Sequence, residues 1–66
     1  MLKPWFLFVA DKDARLVITQ HFTRDEARQA FVEIVAGAGL ADPYGEIHVM
    51  RDGELVLEET TSQPKE

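Results

Sequence analysis

An α+β fold of order ββαββ, with a four-stranded antiparallel sheet and one helix packed on one face, is what these 66 residues predict. Three observations point to it. Thr23-Arg24-Asp25-Glu26 opens an amphipathic stretch in the manner of a helix capping box. Two apolar runs flank Asp52-Gly53 near the C-terminus, as in a β-hairpin. An aromatic-rich apolar run, Trp5 to Ala10, is followed after a polar break by a second β-branched run. At this length only one domain fits, and it spans residues 1–59, with 60–66 (TTSQPKE) as a polar, loose tail that lacks an apolar anchor.

The first strand covers about Trp5 to Ala10. It is apolar on both faces, with Trp5, Leu7 and Val9 on one and Phe6, Phe8 and Ala10 on the other, as suits a central strand. The second strand runs from about Leu16 to Phe22 and reads as an edge, with Leu16 and Ile18 expected toward the helix and Val17, Thr19 and His21 outward. The helix is placed at about 24–37. Thr23 and Glu26 can satisfy first-turn amides, Asp25 and Glu26 suit the positive end of the dipole, and Ala27, Ala30, Phe31, Ile34, Val35 and Ala38 form one apolar stripe. Gly37 or Gly39 can end it in the left-handed conformation, and Gly39 to Gly45 (GLADPYG) forms the loop beyond.

For the C-terminal hairpin the loop length decides which side chains share a face. A two-residue Asp52-Gly53 loop would set Val49 opposite Val56 and Ile47 opposite Glu58 and mix charge into the apolar side. A three-residue loop, Arg51-Asp52-Gly53, pairs Val49 with Leu55 and Ile47 with Leu57, leaving His48 opposite Val56 and Glu46 opposite Glu58 on the other face. The three-residue loop, with Gly53 left-handed in a bulge, is therefore expected. The strand order expected is 2-1-3-4, which makes the most apolar strand central.

One helix covers one sheet face, so the other meets water or a partner. That face is expected to show one row of the first strand with Val17, Met50 and Val56, ringed by Glu46, His48, Glu54 and Glu58, an apolar patch with a polar rim, and Met50, Val56 and these four rim residues form the candidate partner-binding site. Charge favours a basic partner. Residues 1–41 carry five acidic and five basic residues, whereas residues 42–66 carry seven acidic against two basic, so the whole net charge of −5 lies in the C-terminal third. Direct nucleic-acid binding and anionic membranes are disfavoured, since phosphate neutralisation requires clustered Lys and Arg.

Chemistry finds little purchase. No cysteine is present, which removes disulfides and thiolate catalysis, and the one serine, Ser62, lies in the loose tail. His21 and His48 are the only acid/base candidates at neutral pH, and neither has a metal-ligand neighbour at local spacing. Gly37-Ala38-Gly39 follows a helix where a phosphate loop would precede one. No enzyme, cofactor or metal site is expected. The longest apolar run holds six residues, too few for a membrane span or a signal h-region, so a soluble, unprocessed, cytoplasmic protein is expected, in the host cytoplasm if phage-encoded.

Trp5, the Thr23-Glu26-Ala27 helix start, and the late hairpin with Ile47, Val49, Asp52, Gly53 and Leu55 resemble uncharacterised small bacterial ββαββ domains. In size, acidity and layout the chain also resembles phage-encoded inhibitors of the anti-CRISPR kind. The second resemblance implies a protein inhibitor that occupies a basic, nucleic-acid-binding surface of a larger complex, and it carries over no functional residue. The expected function is thus a non-enzymatic protein-binding module, with a self-associating structural module, a homodimer through the outer face, as the alternative.

Overall fold

The computed structural model describes residues 3–13, 16–40 and 42–62. Within them lie β1 (Trp5–Ala10), β2 (Leu16–His21), α1 (Arg24–Ala38), β3 (Tyr44–Arg51) and β4 (Glu54–Ser62). The strands form one antiparallel sheet in the order β2-β1-β3-β4, with the most apolar strand in the middle as expected. β3 joins β1 beyond the strand end as well, where the Met50 N–H donates to the Pro4 carbonyl at 2.9 Å. Proline, which has no amide to give, is suited to this position at the head of a strand.

α1 begins where the sequence places it. Thr23 is extended at φ −136° and its hydroxyl accepts from the Glu26 N–H at 3.1 Å. The Glu26 carboxylate reaches back to the Phe22 N–H, also at 3.1 Å, so both side chains of the capping box are engaged. The helix ends at Gly39, left-handed at φ 63°, whose N–H donates to the Val35 carbonyl. Thr23→Ala is expected to cost about 1 kcal/mol in urea melts, because it orphans an amide while removing little packing.

The core lies between α1 and the sheet. Leu7 and Val9 of β1, Ile47 of β3, and Ala27, Phe31 and Val35 of α1 are buried together, with Trp5, Ala30, Ile34 and Leu40 packed against them. The apolar stripe of the helix thus meets the odd-numbered row of β1. This fixes the parity of every strand, since residues directly opposite in a ladder share a face.

That parity corrects the N-terminal hairpin. Trp5 lies opposite His21, Leu7 opposite Thr19, and Val9 opposite Val17, so Val17, Thr19 and His21 are on the helix side. Leu16 and Ile18, expected under the helix, lie opposite Ala10 and Phe8 on the open side. β1 ends at Ala10 and β2 begins at its partner Leu16, and an odd number of intervening positions in the sequence pairs odd residues with odd.

The C-terminal hairpin departs from expectation in the same way. Its loop is the two residues Asp52 and Gly53, both at positive φ (50° and 80°), the signature of a type I′ turn. Arg51 pairs with Glu54, Met50 with Leu55, and Val49 with Val56, in place of Val49 with Leu55. The register then shifts between Ile47 and His48: His48 lies opposite Leu57 and Ile47 opposite Glu59, with Glu58 the extra residue of a β-bulge. The bulge resolves the conflict that a uniform two-residue register creates at Ile47. Gly53 at φ 80° predicts that Gly53→Ala costs about 1 to 2 kcal/mol by chemical denaturation, through the left-handed penalty on a residue with a Cβ.

β4 also runs further than expected. Thr60, Thr61 and Ser62 pair with Glu46, Gly45 and Tyr44, so the first three residues of the expected tail belong to the sheet. The remainder of that tail, 63–66, falls outside the described residues.

Candidate functional site: the open face of the sheet

With the helix on the odd side of β1, the opposite face is built from alternate residues of every strand. β2 contributes Leu16, Ile18 and Gln20, and β1 contributes Phe6, Phe8 and Ala10. From β3 come Tyr44, Glu46, His48 and Met50, and from β4 come Leu55 and Leu57, with the polar Thr60 and Ser62 beyond them at the strand's end. Leu16 is 62% exposed, Ile18 53% and Leu57 50%, with Tyr44, Met50 and Leu55 also exposed. An ordinary water-facing sheet alternates these positions with Thr, Lys or Glu. Here the apolar side chains run across all four strands.

Two shallow hollows lie at opposite ends of the face. Phe8, Ala10, Leu16, Tyr44, Glu46 and His48 line one of about 320 Å³. Lys3, Pro4, Phe6, Gln20 and Met50 line the other, of about 340 Å³. In the wall of the first, His48 Nε2–H donates to the Glu46 carboxylate at 3.0 Å, and its ring meets Phe8 edge-on with centroids 4.8 Å apart. Nδ1 of His48 is buried and has no hydrogen-bond partner among the described residues. The imidazole is thus held by its neighbours on the sheet.

The six residues expected to form one outward site divide between two faces. Glu46, His48 and Met50 are on the open face. Val56, opposite the buried Val49, and Glu54, opposite Arg51, lie on the helix side, and the Glu58 carboxylate pairs with Arg51 at 3.0 Å on that side too. Leu55 and Leu57 stand where Val56 and Glu58 were expected. The two histidines are also separated: His21 is on the helix side, within 2.7 Å of the Thr19 hydroxyl, and shares no site with His48. Among the described residues no three His, Cys, Asp or Glu side chains gather as metal ligands. The signal that could have located Leu55 and Leu57 was Asp-Gly itself, the preferred dipeptide of a two-residue turn.

The remaining acidic side chains of β4 serve the monomer. Glu59 receives Arg28 through two nitrogens, Nε at 2.8 Å and Nη2 at 2.7 Å, and Arg24 stands 3.7 Å away. Arg24 also lies over the Trp5 ring, 5.5 Å from its centroid. The hydrogen bond from Arg28 holds the Glu59 carboxyl below its ordinary value of 4.5 and in turn raises the Arg28 guanidinium. A depressed carboxyl favours the ionised folded state, so this contribution is complete above the ordinary value and is lost as pH falls through the folded one. Glu59→Gln is therefore expected to lower the melting temperature at neutral pH, with the gap to wild type closing as pH drops below about 4.5. Thermal melts across that range check it.

Among the described residues no helix is long and apolar enough to cross a membrane. No protein-family model, curated protein or solved structure matches this chain.

Proposed function

We propose that the chain is a non-enzymatic docking module that holds a protein surface against the open face of its sheet. The observation that supports this is the composition of the face: apolar side chains from all four strands, with Glu46 the one carboxylate among them. Apolar surface removed from water yields roughly 25 cal/mol per Å², and a sheet apolar on both sides calls for a second covering layer. An electrostatic grip on a basic partner draws less support, because Glu46, Glu54 and Glu58 do not form a single row, and Glu58 and Glu59 are engaged by Arg51 and Arg28. The acidic excess serves solubility on the surfaces that stay wet.

A photo-crosslinking residue at Ile18, compared with one at Val32 on the exposed side of α1, tests the reading in cells of the source organism. Adducts are expected at Ile18 alone, and excess wild-type protein should compete them away while an Ile18→Lys competitor should not. Equal capture at both positions, or capture indifferent to the competitor, would overturn it.

A further inference from the structure

We infer that the occupant of the open face is a second copy of this chain, the two sheets stacking face to face as an eight-stranded sandwich with one helix outside each. This rests on the docking reading above and names its partner.

Charge placement favours a copy over a cationic partner. A chain of net charge −5 repels its own kind over most of its surface. Asp25, Glu26 and Glu33 lie on α1, Asp52 in the turn, and Glu54, Glu58 and Glu59 on the helix side of β4. Two open faces can therefore meet without bringing those carboxylates together. Of the carboxylates on the strands, only Glu46 faces the contact, already hydrogen-bonded to His48, and Lys3 lines the hollow at one end. A basic surface would find almost no charge here to answer its own.

Symmetry and size agree. An interface between identical copies about a two-fold axis must be self-complementary, each residue meeting what its symmetry mate meets. A broad apolar sheet satisfies this, and the Glu46–His48 pair of each copy is already joined within its own chain. The hollows near Ala10 and near Pro4 lie at opposite ends, where the protruding Leu16, Ile18 and Leu57 side chains of a facing copy find room. Four strands about 4.8 Å apart and six to nine residues long give a face on the order of 400 Å² in projection. Side-chain relief raises the accessible area above this projection, toward the small end of the range for specific complexes, as suits an association that is populated between micromolar and millimolar concentration.

Sedimentation equilibrium of the purified chain from micromolar to millimolar concentration is the test. The wild type should approach twice its 7.5 kDa. Ile18→Lys or Leu57→Lys should weaken association on the order of 100-fold or more, since symmetry places each unpaired charge in the contact twice. Val32→Lys should leave it unchanged. A spin label on Val32→Cys, unique in a chain without cysteine, reports on the dimer with its face intact. Layer spacings of about 10 Å place the two helices about 30 Å or more apart across two sheets. A shorter label separation, a dimer that survives both lysine variants, or a wild type monomeric throughout would each overturn the second copy. A monomer that still gives competable foreign adducts at Ile18 would leave the docking reading standing, whereas one without such adducts would remove both.

Discussion

Phe31→Ala is expected to cost about 3 to 5 kcal/mol, among the largest losses that truncating one side chain can cause in this domain. The Phe31 ring is 4% exposed and lies at the centre of the one core, among Leu7, Val9 and Ile47. Truncation removes its transfer energy and leaves a void, because neighbours anchored in β1 and β3 cannot follow it inward. A core of this size rarely supplies more than about 3 to 5 kcal/mol in total. The variant should therefore be largely unfolded at 25 °C, visible as loss of near-ultraviolet circular dichroism and of a cooperative urea transition. Phe22→Ala, which removes a ring exposed just before the helix cap, should change little. If Phe31→Ala melted no earlier than Thr23→Ala, the core would not be centred on that ring.

The same stretch of α1 shows what the sequence could convey. Capping and the 3.6-residue stripe are local, and Thr23, Glu26, Ala27, Phe31 and Val35 are where local rules put them. Strand order also follows from local composition, because β1 is apolar on both faces and so belongs in the middle. Facing is different. It depends on loop parity and on whether a ladder is uniform, and both were decided by single residues. Glu58, inserted as a bulge, lets a two-residue Asp52-Gly53 turn coexist with Ile47 in the core, by bringing Glu59 under Arg28. Without the bulge that turn looks wrong, and the three-residue loop that replaces it exchanges Leu55 and Leu57 for Val56 and Glu58 on the open face. The candidate site was therefore legible along β3, where Glu46, His48 and Met50 keep their expected side, and illegible along β4 and β2. A strand that is apolar on both faces, as β1 is, also lacks the alternation by which a strand declares its sides.

Gly45 carries the second large effect. The sequence places it at the end of a loop, yet it lies buried in β3, opposite Val9 on one side and Thr61 on the other. A Cβ there would stand 2.7 Å from Cδ1 and 2.9 Å from Cε1 of Phe31, and 2.9 Å from Cγ2 of Thr61. The ring is hemmed in by Leu7, Val9 and Ile47, so it can yield only by disturbing the core. Ala ordinarily stabilises a strand by about 0.5 to 1 kcal/mol relative to Gly, whereas overpacking costs about 1 to 3 kcal/mol, so Gly45→Ala should be net destabilising and Gly45→Val more so. The Phe31 dependence gives the decisive measurement. In a double-mutant cycle with Phe31→Leu, the cost of Gly45→Ala should shrink by roughly 0.5 to 3 kcal/mol, because the smaller side chain vacates the volume that the new methyl needs. Thr61→Ser, which removes the methyl on the other side, should relieve part of the remainder. If urea melts gave the same cost for Gly45→Ala with Phe or Leu at position 31, Gly45 would not be the residue on which the Phe31 ring rests.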